Sequence, residues 1–427
     1  MQLLANRSST GDLAIFGGTP AFGEPLHVGR PNIGERQRFL ERMNDLLDRR
    51  WLTNQGPYVQ EFERCIADRV GVRHCVATPN ATVGLEIAIR ALGLRGEVIV
   101  PSFTFIATAH VLQWLGITPV FCDVEPERLT LDPDAVEAQV GPRTTGILGV
   151  HLWGRPCDVE RLSAIADCHH LRLLFDAAHA FGCSHNGQMV GSFGDAEVFS
   201  FHATKFCNAF EGGAIVTNDE DLARTLRLMH NFGFAGYDTV VGLGINGKMN
   251  EASAAMGLTS LESLDEFIAV NRRNYEQYRR ELAGVRGLRV LPFSDSERQN
   301  YQYVAVDVDA VGCGISRDDV AAVCWAENVL VRRYFFPGCH RMEPYRSSRP
   351  VREQVLPVTE RAAEQMLTLP TGTAVGPSEV AAVCELLRFV VHRGPEISAA
   401  LRKQAFDFQT FTNADAAPAL AREGVLV

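Results

Sequence analysis

Three places in the sequence set reactive side chains directly after apolar runs, where open α/β sheets bind their ligands. LRLLF runs straight into Asp176. A carboxylate closing a buried strand is costly without a cationic partner, and a protonated pyridine nitrogen is one such partner. The other reading is a helix-cap or turn aspartate. EVFSFHATK ends a second apolar run at Phe201 and places Lys205 in the loop beyond it. A lysine near the dry mouth of a sheet has its ammonium destabilised and can act as a Schiff-base nucleophile, whereas a lone loop lysine is ordinarily a solvated charge. The company of Asp176, Ser200 and the pair Gly212-Gly213 favours the first reading. In ATPNATVGLEIAIRAL, small and polar residues are followed at once by an amphipathic helix. Free amides at a helix N-terminus bind anions and Thr82 adds a hydroxyl; alternatively Asn80 or Thr82 simply caps the helix. Together the three supply an anion cup, a carboxylate for a ring nitrogen and a lysine for an aldehyde.

The elements that must position these residues alternate from Gly71 to about Thr217. HCVAT, EVIVPSF, TPVFCDV, TTGILGVHLWG, LRLLFDAA, EVFSF and GGAIVTN read as strands, and the early ones are separated by helical runs such as VGLEIAIRALGL, ATAHVLQWLG and VERLSAIADCHH. Such alternation predicts βαβ units and a mostly parallel sheet between helices. Upstream, Phe39, Met43, Leu46 and Leu47 share one face of a helix over Glu35 to Leu52, with Asn32 and Glu35 spaced as a capping pair. After about Glu251 a long helix carries Leu261, Leu264 and Ile268 on one face. It is followed by a strand in YQYVAVDVD, a helix near Asp318 to Asn328, a strand in VLVRRYF and a last helix over Pro377 to Val391. The change of pattern predicts a smaller α+β C-terminal domain. The expected division is a large domain over 1–260 including the N-terminal lead, a small one over 261–394, and a loosely held tail over 395–427.

Bulk properties narrow the function. With 427 residues and 46% hydrophobic content the chain exceeds what one core usually serves. The stretch from Glu97 to Phe121, nearest to a membrane span, is broken by Pro101, His110, Gln113, Gly116 and Pro119. The start, MQLLANRSSTGDLAIF, lacks the basic and apolar regions of a secretory signal, so a cytoplasmic location is expected. Eleven cysteines lie scattered with no CxxC pair, which predicts buried reduced thiols and no metal site. The net charge of −10 with dispersed basic residues argues against nucleic acid as a partner.

FGGTPAF, WLTNQGPYVQEFE, PSFTFIAT, FDAAHAFG, FSFHATK with EGGAIVTN, GINGKMNEASAAMG and RYFFPGCHRMEPYR span roughly Phe16 to Leu387. In these motifs the chain resembles the DegT-type family of nucleotide-sugar aminotransferases, most nearly those acting on TDP-4-keto-6-deoxyglucose in antibiotic deoxysugar pathways. The resemblance implies an α/β fold of the pyridoxal-phosphate-dependent transferase fold type I and a ping-pong transamination with L-glutamate as donor. Lys205 would form the internal aldimine and shuttle the proton, Asp176 would hold the pyridine nitrogen protonated, and His179 would lie beside the 3-hydroxyl. Phe105 would stack on the ring, while Ala81, Thr82 and Ser200 would grip the phosphate. Asn246 would reach the phosphate of a neighbouring subunit, which implies a homodimer with composite sites. Asn54, His202, Glu211, Arg332, Tyr334, His340 and Tyr345 are the implied substrate contacts. SFH before the lysine and EGG after it resemble members that aminate position 4 of the hexose, not position 3. Related pyridoxamine-dependent sugar dehydratases carry histidine where this chain has Lys205, and a non-catalytic sugar sensor would need a degraded site or a DNA-binding module, neither of which is visible.

Overall fold

The β-branched runs become the strands of one seven-stranded sheet in the computed structural model, which describes residues 7–348, 354–404 and 408. In chain order after a short β1 (Leu26–His27), the sheet contains β2 (His74–Thr78), β3 (Glu97–Pro101), β4 (Thr118–Cys122), β5 (Thr144–Val150) and β6 (Arg172–Asp176). A small hairpin of β7 (Ser184–His185) and β8 (Gln188–Met189) precedes β9 (Ala196–Ser200) and β10 (Gly213–Thr217), which complete it. The spatial order is β2-β10-β9-β6-β5-β3-β4. All pairings are parallel except those of β10, which runs antiparallel to both neighbours.

Side chains alternate across this sheet with period two, so each strand feeds two cores. Phe175 and Phe199 enter a core with Phe62 and Ile66 of α2 (Pro57–Val70), Leu162 of α6 (Val159–His169) and Leu258 of α8 (Glu251–Glu262). Leu174 and Val198 point the other way, to Leu85 of α3 (Ala81–Ala91), Leu112 of α4 (Ala107–Trp114) and Leu226 of α7 (Glu220–Met229). Gly84 lets α3 lie close on the sheet, since a Cβ there would sit 3.0 Å from Val198 Cγ1 and 3.1 Å from Thr78 Oγ1.

A second, antiparallel sheet joins β11 (Leu288–Val290), β12 (Val304–Val308) and β14 (Met366–Leu369). Val306 packs there with Val320 of the helix Arg317–Ala326 and with Val383 and Leu387 of the helix Pro377–His392. Helix α9 (Leu264–Glu281) serves both layers: Leu264 and Phe267 belong to the first core, Tyr275 and Tyr278 to the second.

Several local expectations need correction. The lead segment packs on the C-terminal layer, not on the large sheet. Leu13 is wholly buried in the second core, β1 pairs with β13 (Val329–Leu330), and the buried Glu327 carboxylate accepts from Arg7 and from the amides of Ala14 and Ala21. The strand expected over VLVRRYF is confined to β13, after which the chain turns toward the large sheet. Helix α1 (Arg36–Arg49) is capped by Glu35 alone, which accepts from the amides of Gln37 and Arg38. Asn32 is instead a buried tie, donating to Phe206 O and accepting from Thr373, and Leu47 faces solvent. The segment from 395 begins inside the helix Gly394–Lys403, which buries Ile397 and Leu401; apart from Gln404 and Phe408, the remainder lies outside the described residues. Nine cysteines are buried, but Cys65 is half-buried and Cys168 exposed, and all eleven are unpaired. Among the described residues no helix is long and apolar enough to cross a membrane.

Candidate active site

The loops leaving the carboxyl ends of β3, β6 and β9 converge with the start of α3 on a cavity of about 330 Å³. Asp176 is the last residue of β6, 7% exposed and at the cavity wall. One carboxylate oxygen accepts from the Ala178 amide at 3.0 Å and the other from Thr108 Oγ1 at 2.9 Å. Each oxygen keeps a lone pair for a ligand. Burial raises its pKa; the bonds from Ala178 and Thr108 and the charge of Lys205 oppose that rise. An acid so placed gains from a cationic partner.

Lys205 closes a turn after β9, its amide donating to His202 O at 2.8 Å. Its Nζ donates to Tyr303 Oη at 3.4 Å. Burial pushes the ammonium down to about 8 against the pull of Asp176, so roughly a tenth of it is free amine at pH 7. His179 lines the same cavity, its ring nearly parallel to Phe335 at 6.0 Å and 4.7 Å from Tyr303. Burial first and the charge of Lys205 second hold His179 well below the usual histidine range, so it stays neutral.

Opposite lies the start of α3. Asn80 caps it, accepting from the Val83 amide at 2.9 Å. The amides of Ala81 and Thr82 in the first turn have no intrahelical acceptor, and both residues line the cavity with Ser200. Gly213 allows β10 to pass beneath, because a Cβ would stand 2.6 Å from Asn80 C and 2.7 Å from Ala81 N. This is an anion cup built by backbone approach.

Phe105, His202, Glu211, Arg332 and Tyr334 also line the cavity. His202 Nδ1 accepts from the Thr204 amide at 3.2 Å, which leaves the proton on Nε2, 3.4 Å from Glu211 Oε1. Arg332 has no ion-pair partner among the described residues; its Nε lies 3.5 Å from Tyr334 Oη and its guanidinium over that ring.

Three residues expected at the site lie elsewhere. His340 is wholly buried, its Nδ1 2.6 Å from Ser102 Oγ and its Nε2 3.2 Å from Glu360, so it pins the 333–346 turn to the end of β3. Tyr345 is buried against Phe121, its hydroxyl 3.0 Å from His110 Nδ1. Both satisfy polar atoms inside the fold, and neither faces the cavity. Asn54, with φ +63°, is exposed and does not line it. Asn246, expected at a neighbouring subunit's phosphate, is bridged to Asn231 and exposed, outside this cavity.

Sequence reasoning missed Thr104, Thr108, Tyr303 and Phe335. Thr104 and Thr108 stand four apart in PSFTFIAT and bond each other at 3.1 Å, a buried polar pair inside an apolar run that was a usable signal. Tyr303 read only as a strand residue, and Phe335 has no signal of its own.

Residues 34–388 match the DegT/DnrJ/EryC1/StrS aminotransferase family. A dTDP-4-amino-4,6-dideoxy-D-glucose transaminase of Escherichia coli is 34% identical over 365 residues, 85% of this chain and 98% of that one. GDP-perosamine synthase of Caulobacter vibrioides is 32% identical over 360 residues, 83% and 95% of the two chains. The crystal structure of DesI in the presence of its TDP-sugar product is 53% identical with a TM-score of 0.89, covering 92% of this chain and all of the other.

Proposed function

Because this chain belongs to the DegT/DnrJ/EryC1/StrS aminotransferase family, we propose that its cavity binds pyridoxal phosphate and aminates the 4-keto group of a TDP-linked 6-deoxyhexose. The product is the 4-amino-4,6-dideoxyhexose, and L-glutamate is the amino donor. One observation carries the reading: a buried carboxylate, a lysine of lowered pKa and a helix N-terminus meet in a single cavity. The similarity to DesI with its TDP-sugar product and to the dTDP-sugar transaminase supports the nucleotide and the sugar.

The residues present fit this cofactor. Asp176 offers a ring nitrogen a carboxylate already fixed by two donors, the free amides of Ala81 and Thr82 with Ser200 suit a phosphate, and Lys205 suits an aldehyde. When bound, pyridoxal phosphate supplies the carbonyl that carries the amino group and a ring that delocalises the electron pair left on the reacting carbon. Asp176 would keep the ring nitrogen protonated, and neutral His179 would lie as an uncharged ring beside the 3-hydroxyl. Phe105, in the loop after β3 at the cavity wall, covers a face. Lys205 would carry the proton between the donor's carbon and the cofactor, a task suited to a base near 8. Arg332 and Tyr334 meet the diphosphate, and His202 with Glu211 faces the sugar.

The active unit on this reading is a homodimer. Phe232, Phe234, Val240, Val241, Leu243 and Ile245 form an exposed apolar segment that runs directly into Asn246. Covering it with a second copy buries that surface and carries Asn246 toward the neighbour's phosphate cup. Unpaired cysteines suit a reducing cytoplasm, and the chemistry suits an antibiotic deoxysugar pathway.

Incubation with TDP-4-keto-6-deoxyglucose, cofactor and glutamate, followed by NMR of the product, tests the proposal. An amine at C4 is expected. No turnover here together with amination of the 3-keto isomer overturns the position assigned.

A further inference from the structure

We infer that Tyr303 is a positioning residue for Lys205: its phenol oxygen holds one N–H of the amine so that the lone pair is aimed at the carbon being deprotonated. The inference rests on the reading of Lys205 as the proton carrier. Tyr303 directly precedes β12 and thus comes from the C-terminal sheet, yet its ring lines the cavity of the large one. It is 5% exposed. The ring is fixed on two sides, 4.7 Å from His179 and 6.2 Å from Tyr334 between centroids. Lys205 Nζ reaches Tyr303 Oη at 3.4 Å and lies 5.9 Å from the ring centroid. Burial lifts the phenol well above its usual pKa, so it remains a neutral hydroxyl.

The direction of this bond matters. A neutral amine has two N–H groups and one lone pair. With one N–H held on a phenol whose own position is over-determined, the amine loses most of its torsional freedom and the lone pair is confined to a narrow cone. A lysine side chain is otherwise long and mobile, and misplacement by about an ångström can cost about a hundredfold in rate. The phenol oxygen also accepts from the ammonium form, so its removal lowers the Lys205 pKa further.

Tyr303→Phe keeps the ring and its contacts and removes only the hydroxyl; Tyr303→Leu removes the ring as well. In the protein freed of cofactor, trace acetylation across a pH series, read by peptide mapping, gives the Lys205 midpoint without reference to activity. The wild type should titrate near 8 and Tyr303→Phe below it. With cofactor restored, Tyr303→Phe should lose about tenfold or more in kcat with the donor KM and cofactor affinity held, and the acid limb of its pH profile should move with the acetylation midpoint. Tyr303→Leu should lose cofactor affinity too. If Tyr303→Phe keeps the wild-type midpoint and kcat while Tyr303→Leu fails, the residue only packs and the inference is overturned. Borohydride trapping of the wild type separates the two levels: a label on a lysine other than Lys205 overturns the functional reading and this inference with it.

Discussion

Replacing Asp176 by asparagine separates a cofactor carboxylate from a structural one, because the two roles predict opposite signs. Asparagine keeps the shape and one acceptor: its carbonyl can still take the Ala178 amide, and Thr108 Oγ1, now facing an NH₂, can rotate to accept. The internal bonding of the apoprotein therefore survives. What is lost is the charge. Burial raises the Asp176 pKa above its value in the unfolded chain, so ionising it in the apoprotein costs stability. That cost is absent below the unfolded pKa and fully present once pH exceeds the folded one. At neutral pH the apo variant should melt at or above the wild-type temperature. With cofactor the sign reverses. A hydrogen bond to a charged group contributes about 1.5–3 kcal/mol, so affinity should fall by about ten- to a hundredfold. Titration of the apoproteins with pyridoxal phosphate by absorbance, beside melting curves with and without it, reads both signs. A less stable apo variant with unchanged cofactor affinity would refute the reasoning and make Asp176 a turn residue of β6.

Lys205→Ala should still bind cofactor, lose turnover by several orders of magnitude and yield no borohydride-stable pyridoxyl peptide, as mass spectrometry would record. Gly213→Ala should weaken cofactor binding in equilibrium titration and leave the pH midpoint of Lys205 acetylation unmoved, because its Cβ collides with the backbone of the cup and not with the lysine loop. Mixed dimers of Lys205→Ala with Asn246→Ala should regain part of the activity if one intact composite site assembles. Absence of regain in verified heterodimers, with Asn246→Ala impaired on its own, would place Asn246 in its own subunit's site.

What the sequence disclosed followed from local periodicity. Strands buried on both faces read as continuous apolar runs, and so β2 to β6, β9 and β10 were visible together with the residues at their ends. Asp176, Lys205 and the start of α3 were legible for that reason, since their chemistry sits where a run stops. The antiparallel course of β10 was not, because strand direction leaves no mark in an apolar pattern. Nor was the placement of the lead segment. Its partner Glu327 lies some three hundred residues away, and only the fold shows that Ala14 and Ala21 direct their amides at it. His340 and Tyr345, expected as substrate contacts from the resemblance alone, instead serve buried partners at Ser102 and His110, which no local pattern announces.

If His202 and Glu211 face the sugar as proposed, position on the sugar follows from the same frame. Both flank Lys205 along the lysine loop, and Thr204 fixes the tautomer of His202 so that its remaining N–H faces Glu211. On the proposed reading the diphosphate is anchored near Arg332, and Lys205 cannot move far because β9 and its turn hold its backbone. Moving the reacting carbonyl by one ring position then requires the hexose to rotate about that anchor, and the groups it sweeps past are those beside the lysine. Neither Asp176 nor the α3 amides would register the change, since they address the cofactor alone. On that reading, selectivity between 4-keto and 3-keto sugars is separated from cofactor binding within one cavity.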